Sequence, residues 1–403
     1  MTQTRRTVLA GFSAGVPCFY TGSASGQTTE SREEWQAYAA NAQNTSVSQG
    51  SGPQNGLREV WRFETKDEGM NCPVVGFGKV FTTKRNGDLM AFTEREGTLD
   101  WTIELGASTS TSPILTDDRL IAGTKAGEVI AVGLSGNEVW SRNLDGTIRG
   151  HPTAVGERVY APAGETIHAL RMEDGRTEWS TQFSDSVNAP VAVAGGSIYA
   201  IVDDHGLFAL DAGTGDVQWQ YKADFETRIP PIVAGESIFY DFSKRNKLVV
   251  LVPDGTEKWT HEMPSLIWWL AVTADSVFVA TDDRIFRLDR STSEELWSTP
   301  NPAENGVIMS TSFNTVYTAD RSRIRALDKD SGKPQSTFEF EGVPYGPPAI
   351  ADGRIYVGTD AGTLYAIGEG GSGLLEPALG VGGGLAALGG YAFYRRSRSD
   401  SSE

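Results

Sequence analysis

Cysteine is nearly missing from this chain: 403 residues contain two, Cys18 and Cys72. No disulfide framework can be built from them, and no CxxC or Cys/His cluster with zinc spacing exists. Histidine is equally scarce. His151, His168, His205 and His261 lie far apart, and no His/Asp/Glu spacing points to a hydrolytic triad or a metal site. Lysine is short as well, with 10 Lys against 25 Arg, and 52 acidic residues outweigh 35 basic ones for a net charge of −17. That balance argues against nucleic acid and against anionic lipid surfaces, both of which need a basic face.

The two ends differ in character from the middle. The start, "MTQTRRTVLAGFSAGVPCFYTGSASG", carries paired Arg5 and Arg6, an apolar run and then small residues, the layout of a twin-arginine export signal over residues 1–26. Cys18 follows Pro17 where a lipidation site needs a small residue, so lipidation is not expected. Residues 374–394 form a 21-residue run with one charge, Glu376, followed by "RRSRSDSSE". At about 1.5 Å per residue this run just spans a hydrocarbon core of roughly 30 Å, so a C-terminal transmembrane helix with a basic tail is expected over 370–403. An acidic, lysine-poor chain also resembles secreted proteins of salt-loving archaea.

Between the ends the sequence repeats itself. "AFTEREGTLDW", "AVGLSGNEVW", "ALRMEDGRTEW", "ALDAGTGDVQW", "VLVPDGTEKW" and "RLDRSTSEELW" all finish on tryptophan, at positions 101, 140, 179, 219, 259 and 297, which are 39, 39, 40, 40 and 38 residues apart. A period of that length marks a repeat architecture. Each repeat holds four short apolar or β-branched pieces separated by polar and Gly-bearing turns, which fits four strands and leaves no room for helices. Four-stranded units repeated radially make a β-propeller. The last repeat, residues 345–370, stops after three strands, whereas "REVWRFE" (58–64) precedes the first repeat and puts Trp61 forty residues before Trp101. The early segment is therefore expected to supply the missing outer strand, closing an eight-bladed ring over residues 57–369 with no edge unpaired. Trp61, Trp101, Trp140, Trp179, Trp219, Trp259 and Trp297 are expected to dock between neighbouring blades. In the seventh repeat Ser336 stands in the matching place, which predicts the least well packed junction.

The wording "(I/V)Y-x-G-x-x-x-G-x-L-Y/F-A-L-D-A-x-T-G-x-x-x-W", clearest at 197–219 and 354–367, resembles the pyrroloquinoline-quinone-like propeller repeat family. Upstream, "EEWQAYAANAQNT" (33–45) is similar to the leader found before many such propellers. The resemblance implies that Trp35 and Tyr38, within a leader and linker over 27–56, plug one face of the ring or pack beside the last blade. The stretch that follows, "NTSVSQGSGPQNG", reads as an unstructured linker, and Asn44-Thr45-Ser46 within it as a glycosylation sequon.

The family divides into quinoprotein dehydrogenases and non-catalytic propellers such as the lipoprotein scaffold of outer-membrane protein assembly. The resemblance to the dehydrogenases implies an adjacent Cys-Cys pair and long insertions carrying calcium-binding carboxylates; this chain has neither. The expected function is a non-catalytic scaffold, exported and membrane-anchored through the C-terminal helix, monomeric, binding a protein or cell-surface partner, with no catalytic residues, no metal and no cofactor. The alternative is a small quinone-binding oxidoreductase with pyrroloquinoline quinone and calcium. Candidate ligand residues at the channel mouth are Arg149, His151, Asn188, Arg228, Trp268, Trp269 and Tyr345, with Asn71 and Met309 beside them: cations and indoles suited to a flat anionic ligand.

Overall fold

The computed structural model describes residues 34–65, 68–222, 229–242, 246–303 and 306–370. Eight antiparallel sheets of four strands follow one another around a ring. Seven blades are continuous in sequence: 74–104, 114–143, 153–182, 192–222, 232–262, 267–300 and 308–339. The eighth takes three strands from 349–369 and its outermost strand, Leu57–Glu64, from the start of the propeller. That strand runs antiparallel to Thr363–Glu369, from Leu57 opposite Glu369 to Glu64 opposite Thr363. Closure by the early segment is thus observed, and it leaves blade 8 with the same four strands as its neighbours.

The tryptophans explain the forty-residue period. Each indole leaves the outer strand of one blade and donates from Nε1 to a backbone carbonyl in the last hairpin of the next: Trp61 to Glu94, Trp101 to Leu134, Trp140 to Met172, Trp179 to Ala212, Trp219 to Pro253, Trp259 to Arg290 and Trp297 to Lys329, at 2.8–3.3 Å. A ring needs a flat seat at such a seam. At Gly175 (φ +68°) an added Cβ would lie 2.5 Å from the Trp140 ring, so a residue without a side chain and at ease in the left-handed region is required. Ser293, at φ +63°, takes the corresponding place beneath Trp259 and carries the strain that glycine avoids elsewhere. Each buried indole removes roughly 150–250 Å² from water, on the order of 4 kcal/mol before entropy is counted.

The seam without an indole is closed differently. The Ser336 hydroxyl accepts from the Leu57 amide at 2.9 Å, which ties blade 7 to the closing strand of blade 8. Phe338 and Phe340 meet the Tyr365 ring at 6.3 and 5.7 Å. These rings belong to one apolar group that joins blades 7, 8 and 1, so the lost tryptophan is replaced by three smaller aromatics.

One expectation about fold class is corrected. The described residues hold no helix, and among them no helix is long and apolar enough to cross a membrane, so the fold they form is all-β and the predicted C-terminal transmembrane helix is no part of it. Residues 374–394 lie outside the described residues, as does the export signal over 1–26.

Candidate functional site

The first strands of the blades line a central channel, and their inner edges present backbone groups that no neighbouring strand satisfies. Residues 34–50 meet these edges in a single lap, taking the blades in chain order. Trp35 exchanges two 2.9 Å bonds with Val75 of blade 1, and Gln36 accepts from Leu115 of blade 2. Tyr38 lies flat on His151 at the entry to blade 3, with ring centroids 3.9 Å apart and planes 16° off parallel. The carbonyls of Ala42, Gln43, Thr45 and Ser46 then accept from Val193, Val233, Val272 and Thr311, on blades 4, 5, 6 and 7. Residues 34–50 thus form a hoop inside the ring that includes Trp35 and Tyr38, expected to plug one face, and residues 44–50, expected to be part of an unstructured linker.

Tyr38 occupies the axis. It touches residues from opposite sides: His151 of blade 3, Trp269 of blade 6 at 5.8 Å edge-on, and Gly346 before blade 8, where an added Cβ would fall 2.5 Å from the phenol ring. The Cys72 thiol before blade 1 lies 3.7 Å from the Tyr38 carbonyl and donates to the Pro347 carbonyl at 3.1 Å. Burial raises the pKa of both the Tyr38 phenol and the Cys72 thiol. The Ser112 amide donates to His151 Nδ1 at 2.8 Å, so the neutral ring carries its proton on Nε2, and burial holds its pKa down to about 3.

Asn44 anchors the far side of the hoop. Its side-chain amide donates to the carbonyls of Val191 and Pro231, at 3.4 and 3.1 Å, joining blades 4 and 5. An asparagine buried with its amide so engaged cannot accept a glycan in the folded chain, which overturns the sequon reading of Asn44-Thr45-Ser46.

The predicted mouth residues do not converge on one pocket. His151 and Trp269 meet through Tyr38, and the Trp269 indole donates to Ser46 Oγ at 3.2 Å. The ladder shifts register between Ile267 and Trp269, leaving Trp268 as the extra residue. Trp268 is half-buried and donates to Asp282 Oδ1 at 2.5 Å. Asn188 is exposed and donates to Asp203 at 2.6 Å. Tyr345 is half-buried beneath the Arg85 guanidinium, 4.2 Å from its centroid, and Arg149 is exposed on the loop leading to His151. Asn71 is buried and bonded to Thr83 and Thr111, and Met309 sits in the core with Trp269. Arg228 lies outside the described residues. Sequence reasoning missed Arg85, Asn44 and Ser46; Arg85 could have been found from its place in the hairpin beside Tyr345, whereas a hoop that touches each blade about once leaves no period to detect.

Comparison with known proteins places this arrangement. A family profile described as outer membrane protein assembly factor BamB matches residues 52–133, 125–266 and 320–388. The outer membrane protein assembly factor BamB of Moranella endobia (strain PCIT) is 27% identical over 198 residues, 44% of this chain and 50% of that protein. The chain spans about half the length of the curated relatives it matches. Among solved structures, BamB from Moraxella catarrhalis superposes with a TM-score of 0.65 at 18% identity, covering 77% of this chain and 99% of that one. The quinohemoprotein alcohol dehydrogenase from Comamonas testosteroni gives 0.70 at 15% identity, covering 83% and 80%. At these identities the structural likeness establishes the fold alone.

A quinone with calcium, implied by the dehydrogenase likeness, does not fit the residues on the axis. The place where a flat ring could lie between aromatic faces is taken by Tyr38 against His151. Among the described residues no three His, Cys, Asp or Glu side chains come together in a way that could hold a cation. Arg149, one of the residues expected to hold a flat anionic ligand, stands exposed at the rim.

Proposed function

Because the chain belongs to the pyrroloquinoline-quinone-like repeat family whose profile is described as outer membrane protein assembly factor BamB, we propose that it is a non-catalytic scaffold that binds a protein or a surface component with the loops around its channel mouth. The observation that carries this reading is the filled axis: Tyr38 packs on His151 and against Trp269 where a flat ligand would lie. What the ring offers is a rim of loops held in place by eight rigid blades. Arg149, the Arg85–Tyr345 stack, the Asn188–Asp203 pair and the Trp268–Asp282 pair stand on that rim and supply hydrogen bonds, cations and an indole for a partner surface. Arg5 and Arg6 at the start support export, which would put the propeller outside the cytoplasm, as a monomer and without a cofactor.

Affinity capture from solubilised membranes at high salt tests the reading. One recurrent partner is expected, and Trp268→Ala combined with Arg149→Ala should cut its recovery about tenfold, in line with the loss of an aromatic and an arginine anchor. Recovery of no partner, with a quinone bound to the protein instead, would overturn it.

A further inference from the structure

We propose that the hoop over residues 34–50 is a gate: it opens as one unit while the blades stay folded, converting a channel closed by its own leader into one open from face to face. Four observations support this. First, the hoop is held unlike any strand in the ring. Strands within a blade are joined by ladders such as the six-residue pairing of 197–202 with 206–211, whereas the hoop makes one to three backbone bonds to each blade it bonds. Blades 2, 4, 5 and 6 take one bond each, blade 1 two and blade 7 three, and because each is positioned by its neighbours they break together.

Second, the segment is strained. Ala40, Asn44 and Ser46 have φ of +76°, +58° and +57°, three non-glycine residues in the left-handed region within seven positions. Release lets all three return to ordinary backbone. Third, the contact with the ring leaves polar atoms unsatisfied. Trp35 Nε1, Ser112 Oγ beside His151, and Thr311 Oγ1 beside Ser46 are buried without a hydrogen-bond partner. A dry, optimised interface would not tolerate them. Fourth, the residue on the axis is weakly tethered: the Tyr38 side chain is fixed by stacking on His151 and by van der Waals contact, with no hydrogen bond to its hydroxyl among the described residues.

The blades do not depend on the hoop for their own bonds. Their strands are paired to one another, and seven of their eight seams are held by indoles on the outer strands. Local opening with a free energy below that of global unfolding is the expected behaviour of such a segment. Opening frees the inner edges at Leu115, Val193, Val233, Val272 and Thr311 simultaneously, and takes Tyr38 off the axis.

Native-state hydrogen exchange on the full chain tests this. The amides of Leu115, Val193, Val233, Val272 and Thr311, on five different blades, should exchange with one common protection, at least about 100-fold below that of the third-strand amides of Ala131 and Ala209. Asn44→Ala, which removes two bonds from the hoop, should speed all five about tenfold and leave Ala131 and Ala209 unchanged. Tyr38→Leu, which keeps the apolar bulk and loses the stacking, is the second variant and should act in the same direction. The gate is excluded if the five amides exchange only as slowly as Ala131 and Ala209, or at five unrelated rates, or if either substitution speeds the ring amides equally.

Discussion

Trp61→Ala is expected to destabilise the propeller by about 3–5 kcal/mol, the range for deleting a large buried aromatic. For a fold of this size that lowers the melting temperature by on the order of 6 °C. The substitution removes more than one contact. The Trp61 indole bonds the Glu94 carbonyl at 2.9 Å, and an added Cβ at Gly97 would sit 2.4 Å from its ring. The same Glu94 carbonyl accepts from Arg354 at 2.7 Å, while the Glu94 carboxylate accepts from the Tyr356 hydroxyl at 3.2 Å. Trp61 also sits on the closing strand, so loosening it exposes the edge of Thr363–Glu369 along with the seam. Trp219→Ala is the comparison, since its indole is only half-buried and bonds an exposed hairpin. Its effect should be about half as large by urea or thermal unfolding. Equal effects would mean that closure adds nothing to the seam.

Between pH 6.5 and 4.5 the wild-type chain is expected to lose about 1–2 kcal/mol more stability than His151→Gln. The imidazole titrates near 6.5 when unfolded but is held down to about 3 by burial in the folded chain. Across that window the unfolded state binds a proton that the folded state refuses, so acidification favours unfolding. The effect is complete once pH falls below about 3. Solvent partly reaches the ring, which holds the loss below the full value of about 1.4 kcal/mol per pH unit. His168, also lowered by burial, contributes with the same sign to both proteins and cancels in the comparison. Asp174, drawn down to about 2 first by its hydrogen bond from Arg171, acts at lower pH: it stabilises above the ordinary carboxylate range and ceases to do so as pH falls through its own pKa. Denaturant titrations of both proteins at pH 7, 5.5 and 4.5 measure the difference. Parallel curves would show that the Tyr38–His151 stack is not shielded from water.

What could be read from the sequence follows from what repeats in it. Trp101 to Trp297 recur because each indole must reach the same hairpin of the next blade, so spacing set the blade length, and the three-stranded last repeat completed the count. Trp61 revealed the closing strand for the same reason. Ser336 was recognised as an exception, but Phe338, Phe340 and Tyr365 fill that seam from two blades, a tertiary relation that no local pattern announces. The channel was less legible. Trp268 and Trp269 are adjacent in sequence, yet one bonds Asp282 and the other Ser46, because the register shift that separates them is invisible without the strand pairing. Asn44 and Ser46 belong to a polar, glycine-flanked stretch whose composition is that of a linker. It is ordered because its carbonyls meet unpaired inner edges of the ring, and such contacts leave no mark on residue type.

The central claim is that the chain fills its own axis and therefore works as a binding scaffold. Titration of the intact protein with pyrroloquinoline quinone and calcium, followed by absorbance, calorimetry and dye reduction, addresses it most directly. The account predicts no stoichiometric binding and no turnover. One equivalent of quinone bound per chain, with electrons passed to the dye, would contradict it.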